Sequence, residues 1–186
     1  MSDNIRGDRA VSFVKHCRKA GVGAFVEVGV YEGNSAVIIA SIAENRIFHL
    51  YDTWEGLPPP TKEDKKSARE GQFNADFEVV SSFLDSMANH TCELVYHKGL
   101  VQETFCKDDY PDGVAFLHID VDFYEATKFC LEKFWNLLNQ HAVVQIDDYG
   151  HYPGCRKAVD DFAEANGIEV FTVFDKQPSP VFLVKG

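Results

Sequence analysis

The chain alternates between short, nearly unbroken apolar runs and longer stretches whose apolar residues recur at helical spacing. Over residues 5–20, Val11, Phe13, Val14 and Cys17 share a face, and Gly21 is a natural helix stop. Residues 24–29 read as a buried strand entering a glycine turn, followed by a helix over 36–43 that Asn34 or Ser35 can cap. A strand over 46–51 ends at Asp52. Residues 53–71 show no period, include Pro58, Pro59 and Pro60, and are long for a loop in a compact domain, so 53–72 is expected to be a lid or acceptor loop. A helical stripe follows over 73–87, then a strand over 92–97, Gly99, and a short helix over 102–106. Pro111-Asp-Gly113 turns the chain into a strand over 114–119. The next helix keeps Ala126, Cys130, Phe134, Leu137 and Leu138 on one face, and a strand over 142–146 follows it. A helix over 155–165 buries Ala158, Val159 and Phe162 and ends at Asn166-Gly167. The last two strands, 169–174 and 181–185, are joined by a connector too short for a helical crossover and are expected to form an antiparallel hairpin.

This order predicts one α/β domain over 1–186: an open, seven-stranded, mostly parallel sheet with helices on both faces and a C-terminal antiparallel hairpin. Ligands of such sheets lie at the carboxyl ends of the strands, near the point where strand order reverses. The acidic residues sit at those ends. Asp120 and Asp122 follow the strand over 114–119, and Asp147-Asp148 follow the strand over 142–146. Adjacent parallel strands ending this way would gather three or four carboxylates, whose mutual repulsion calls for a cation. Oxygen donors favour Mg²⁺, with Ca²⁺ or Mn²⁺ as substitutes. Asp122 and Glu125 also have capping-box spacing, so Asp122 is equally read as a helix cap.

Composition narrows the classes. The 186 residues are 45% hydrophobic and 25% charged, with a formal net charge of −11 and no basic stripe, which excludes an ordinary nucleic-acid binder. No run is apolar enough to span a bilayer, and no leader is read at the N-terminus, so a cytoplasmic protein without membrane association is expected. Five scattered cysteines without a C-x-x-C argue against disulfides or a thiolate zinc site.

The turn Glu27-Val-Gly29-Val-Tyr31-Glu-Gly33-Asn-Ser35 has G-x-x-x-G spacing, not the G-x-G-x-x-G that seats a pyrophosphate. Its preceding acid would repel a pyrophosphate and welcome an ammonium or sulfonium. The turn resembles motif I of class I S-adenosylmethionine-dependent methyltransferases. That resemblance implies a Rossmann-like methyltransferase fold with Glu27 facing the cofactor's amino group and Asp52 accepting from the ribose hydroxyls. Gly29, Tyr31, Gly33, Ser35, Thr53 and Gly99 complete the candidate cofactor set. The stretches FVEVGVYEGNSA, YDTWEGLPPP, HIDVDFYEAT and IDDYGHYPGCRKAVDDF together resemble the macrocin O-methyltransferase family, over roughly Phe25 to Phe162. The resemblance implies S-adenosylmethionine, magnesium and a sugar hydroxyl acceptor. It also implies Asp120, Asp147 and Asp148 as metal ligands, with Asp120 as candidate general base, and is compatible with a homo-oligomer. The chain begins roughly two dozen residues before motif I, where the macrolide enzymes carry a longer region, and Val121 stands in the D-x-D spacer where glycine is expected.

For proton removal, His151 and His118 are the imidazole alternatives to Asp120, with His118 also read as a core histidine. Trp54, Tyr124 and Tyr149 are the candidate aromatic walls for an acceptor ring. The competing readings are a catechol-type methyltransferase, a D-x-D glycosyltransferase, a dinucleotide oxidoreductase, and a binding protein that retains the fold.

Overall fold

The computed structural model describes residues 7–64, 68–87, 91–110, 112–173 and 179–186. The expected N-terminal start of the first helix, part of the 53–72 loop and the centre of the last connector lie outside them. Seven strands form one sheet in the order β3-β2-β1-β4-β5-β7-β6, where β1 is Ala24–Val28, β2 Ile47–Asp52, β3 Glu93–Lys98, β4 Val114–Ile119, β5 Leu138–Ile146, β6 Phe171–Thr172 and β7 Val181–Val184. The first five are parallel, and β7 pairs antiparallel with both β5 and β6, so the expected hairpin is present with β7 on its inner side.

Helices cover both faces. Residues of α1 (Gly7–Lys19), α2 (Asn34–Ala40) and α3 (Phe77–Ser86) pack with Phe25, Phe48, Leu50 and Phe116 on one side. Those of α4 (Val101–Thr104), α5 (Tyr124–Phe134) and α6 (Pro153–Asn166) pack with Val26, Val28, Leu117, Ile119, Val144 and Ile146 on the other. Every residue of β4 is buried, as a central parallel strand covered on both faces requires. That is why the strand reads as an unbroken apolar run.

Several boundaries differ from expectation, each for a local reason. The helix expected from Phe73 begins at Phe77, because Asp76 caps it with a side chain that accepts from the amides of Glu78 and Val79. Neither Asn34 nor Ser35 caps α2; Gly33 does so at φ 82, without a side-chain hydrogen bond. The apolar stripe through Leu138 overshoots: α5 ends at Phe134, a 3-10 turn spans Trp135–Leu137, and Leu138 opens β5. Asp122 does not cap α5. Its φ is 59, and the N-cap is Phe123, which offers no side-chain hydrogen bond.

The chain winds outward from β1 through β2 to β3, then returns to place β4 beside β1. That reversal opens the crevice in which the acidic residues meet.

Candidate active site

At the reversal the backbones nearly touch. The amide of Asp120 donates to Val28 O at 2.8 Å, and the amide of Gly29 to Tyr51 O at 2.8 Å. Gly29 has φ 95, and a Cβ there would overlap the carbonyl of Asp120. Only glycine lets the turn after β1 pass this close to the end of β4.

Asp52 shapes the same turn. Its Oδ2 accepts from the amides of Val30 and Tyr31, both at 2.7 Å, and its Oδ1 accepts from the amide of Trp54 at 2.7 Å. Tyr31 and Trp54 are held at φ 50 and 54, an uncommon conformation for such bulky residues. A carboxylate has about four acceptor positions, so Asp52 retains room for a ligand hydroxyl.

Around this edge lies a cleft of about 670 Å³. Of the cofactor candidates, Gly29, Tyr31, Ser35, Asp52, Thr53 and Gly99 line it. Glu27 and Gly33 do not. Glu27 is fully buried on the face under α1, where its Oε1 meets His118 Nδ1 at 2.8 Å. The strand register sets Glu27, His118 and Gln145 side by side. Ser12 Oγ donates to Gln145 Oε1 at 2.9 Å, and His16 Nδ1 lies 3.1 Å from it, so α1 is tied to this polar row. Burial works to lower the pKa of His118, but the hydrogen bond and charge of Glu27, with Asp120 and Asp147 nearby, outweigh it and raise it.

The carboxylates converge as expected. Asp120, Asp147 and Asp148 present oxygens that all lie within 4.8 Å of one another. Burial, then the charges of its neighbours, lifts Asp120 well above the usual carboxylate range, and burial together with the charges of Asp122 and Asp147 does the same to Asp148. Asp120 and Asp148 lie close enough to repel when both are charged, and two carboxyl groups so placed are relieved by a proton between them. A divalent cation is the natural replacement for that proton. The set is all oxygen, clustered and largely dry, and fits a hard ion such as Mg²⁺.

Asp122, whose spacing fits either the acidic group or a helix cap, lines the cleft. Its amide donates to Asp148 Oδ2 at 3.0 Å, and burial, followed by the charge of Asp120, pushes its carboxyl up to about 8. Tyr152, hydrogen-bonded to Asp122, also lines the cleft; no spacing rule singled it out. His118 and exposed His151 both border the cleft.

The three aromatic candidates do not line it. Trp54 is buried against Phe77, with ring centroids 4.7 Å apart, and its Nε1 donates to Tyr31 O. Tyr124 and Tyr149 turn outward to Asp161 and Asp160 on α6. The walls are instead Phe13, Tyr31, Leu57, Pro58, Pro59 and Phe73.

The family model described as macrocin-O-methyltransferase (TylF) matches residues 6–176. The chain belongs to the macrocin O-methyltransferase family. The chain is 27% identical over 162 residues to an 8-demethyl-8-(2,3-dimethoxy-alpha-L-rhamnosyl)-tetracenomycin-C 4'-O-methyltransferase of Streptomyces olivaceus, a match covering 78% of this chain and 60% of that protein. It is 23% identical over 151 residues to a demethyldecarbamoylnovobiocin O-methyltransferase of Streptomyces niveus, covering 75% and 58%. The chain therefore spans less than two thirds of these relatives. Among solved structures, the O-methyltransferase NovP matches with a TM-score of 0.80 at 21% identity, covering 96% of this chain and 79% of that one. The calicheamicin methyltransferase CalS11 matches with a TM-score of 0.80 at 21% identity, covering 96% and 77%. These likenesses show the fold. Among the described residues no helix is long and apolar enough to cross a membrane.

Proposed function

We propose that this family member is an S-adenosylmethionine- and Mg²⁺-dependent O-methyltransferase acting on a hydroxyl of a sugar or glycosylated small molecule. The observation that carries the reading is the convergence, in one cleft, of a glycine turn held by Asp52 and a cluster of three aspartates. The relative named as a 4'-O-methyltransferase of a rhamnosyl-tetracenomycin supports the sugar acceptor. The five free cysteines suit the reducing cytoplasm.

Asp120, Asp147 and Asp148 would hold the metal, and Asp52 with the main chain of Gly29–Tyr31 would hold the cofactor's ribose end. When bound, the cofactor supplies an electrophilic methyl group and the ion lowers the pKa of an acceptor hydroxyl. The chain's own part is placement and proton removal. The cleft walls set the acceptor beside the carboxylates. A carboxylate oxygen of Asp120, or the exposed imidazole of His151, takes the hydroxyl proton. The buried cluster keeps water low, which strengthens each of these interactions.

The test is calorimetric titration of S-adenosylmethionine and S-adenosylhomocysteine, with Mg²⁺ and with EDTA, on wild type, Asp52→Ala and Asp147→Asn. Saturable binding weakened in Asp52→Ala, with Mg²⁺ binding lost in Asp147→Asn, is the expected result. No binding of either ligand by wild type would sink the methyltransferase reading.

A further inference from the structure

The first amide of α5 is capped from a distant part of the chain. Phe123 supplies no cap, and the Asp122 carboxyl is turned toward Tyr152 while its amide donates to Asp148 Oδ2. Instead Asp64 Oδ1 accepts from the amide of Tyr124 at 2.7 Å, across a separation of 60 residues. Its Oδ2 accepts from the amide of Thr61 at 2.8 Å and from Thr61 Oγ1 at 2.7 Å. The carboxylate is 1% exposed. Gly154, the second residue of α6, lies against the same Oδ1 so closely that a Cβ would overlap it. Asp64 thus fills a notch between the first turns of α5 and α6, where both helix dipoles favour a negative charge.

The segment that Asp64 anchors walls the cleft. Gly56, Leu57, Pro58, Pro59, Thr61 and Asp64 line it together with the aspartate cluster. At its other end the segment is closed by hydrogen bonds from the amide of Leu57 to Gln72 O and of Gly71 to Leu57 O, both 2.9 Å. Between the two anchors, three prolines restrict the backbone. An apolar wall pinned at both ends suits the C–H face of a ring whose hydroxyls point at the carboxylates.

We propose that Asp64 is a positioning residue for the acceptor: it pins the 56–64 strap to the N-terminal ends of α5 and α6 and so sets the distance between the apolar wall and the aspartate cluster. The proposal rests on the methyltransferase reading and adds to it the element that holds the acceptor side. Cofactor contacts lie on the Gly29 and Asp52 side, so the latch governs the acceptor wall and leaves cofactor affinity alone.

The test uses Asp64→Ala, Asp64→Asn and Gly154→Ala in the full chain. Gly154→Ala leaves the carboxylate in place and removes its space, while alanine favours the helix itself. Asp64→Asn keeps one oxygen for the Tyr124 amide. Three quantities are read: amide hydrogen exchange, S-adenosylhomocysteine affinity, and relaxation enhancement of the Thr61 methyl by Mn²⁺ bound at the cluster. The expected result is at least tenfold faster exchange over 61–64 and at Tyr124 in Asp64→Ala and Gly154→Ala, and a weaker Mn²⁺ effect on Thr61, which Asp64 holds, while Leu57, held by Gly71 and Gln72, changes least. Asp64→Asn should fall between these and wild type. S-adenosylhomocysteine affinity should stay within twofold, and exchange in β1 and β4 should stay at the wild-type rate. Unchanged strap exchange in both Asp64→Ala and Gly154→Ala, or a Thr61 signal relaxed by Mn²⁺ as in wild type, overturns the proposal. So does faster exchange throughout β1 and β4 in all three variants, which would make Asp64 a general stabiliser. A wild type that binds no S-adenosylhomocysteine fails on the methyltransferase reading itself, a result separable from any change in strap exchange.

Discussion

Away from the cleft, two histidines are packed where neither can readily take a charge. His49 on β2 is 3% exposed, and its Nδ1 lies 2.9 Å from Nε2 of His97 on β3. One of the two donates and the other accepts, so at most one imidazole can carry a charge, and burial, which lowers the pKa of both, favours the neutral pair. His97 stacks flat on Tyr51 at 4.0 Å, Tyr51 shares a 2.6 Å hydrogen bond with the hydroxyl of Tyr110, and the Tyr110 ring closes over His49 at 4.6 Å. Burial, followed by the charge of His97 and opposed by Asp109, lowers His49 from 6.5 to about 4. The folded pKa is below the unfolded one, so the contribution is full above pH 6.5 and is lost as pH falls toward 4. At 1.36 kcal/mol per unit, the whole difference is about 3 kcal/mol, of which about 2.5 kcal/mol has gone by about pH 4.5. The perturbation is His49→Leu, similar in bulk and unable to titrate. Guanidinium unfolding of wild type and variant at pH 7.5 and 4.5, all in EDTA, isolates the term as a difference of differences. The variant starts lower, having lost the bond to His97, but wild type should lose about 2.5 kcal/mol more than the variant on acidification. Parallel losses, within about 0.5 kcal/mol of each other, would refute the reasoning, since additive backgrounds cancel to that level.

Other outcomes follow from the cleft and its supports. Gly29→Ala drives a Cβ into the Asp120 carbonyl at φ 95, and should cost about 3 kcal/mol in denaturant unfolding and abolish S-adenosylhomocysteine binding; near-wild-type values for both would mean the turn has slack. Asp122 at about 8, with Asp120 and Asp148 raised well above 3.8, means the folded cluster holds protons that the unfolded chain releases. Its stabilisation is therefore full below about pH 3.8 and is lost as pH rises through about 8. In EDTA the melting temperature should fall from pH 6.5 to 8.5, and the gain on adding Mg²⁺ should be larger at pH 8.5; an equal gain at both would remove the metal from the cluster. Asp76→Ala deletes the cap of α3 and should cost about 1 kcal/mol in chemical unfolding without changing S-adenosylhomocysteine affinity, whereas a cost near zero would show that the cap is not needed.

How much of this was legible beforehand depends on how far each signal reaches along the chain. The strands were legible because β1, β4 and β5 are covered on both faces, and a doubly covered strand must be apolar throughout. The acids at their carboxyl ends were legible for the same reason: a charge directly after such a run has nowhere to sit but the edge. Asp120, Asp147 and Asp148 meet because β4 and β5 are adjacent, which a strand-helix-strand unit already implies.

Residue spacing also misled where two neighbours compete for one role. Asp122 has the spacing of a capping box, yet at φ 59 it faces the cleft, and the cap of α5 comes from Asp64. The periodic stripe through Leu137 and Leu138 continues past α5 because the same faces are apolar in the 3-10 turn and in β5. Residue type suggests Trp54, Tyr124 and Tyr149 as walls, but a ring's direction is set by what packs on it: Phe77 for Trp54, and the acids of α6 for the two tyrosines.

The sequence alone determined the alternation of elements, the sheet class, the glycine turn and the acidic strand ends, because each is a matter of local covalent order and of which side chains tolerate burial. Only the tertiary structure decided that Glu27 faces His118 and not the cleft, that the Asp122 carboxyl turns to Tyr152 instead of capping α5, and that Asp64 caps a helix 60 residues away. Those choices depend on which groups meet after folding and on the cost of leaving a buried charge or amide without a partner, and no local pattern encodes that meeting.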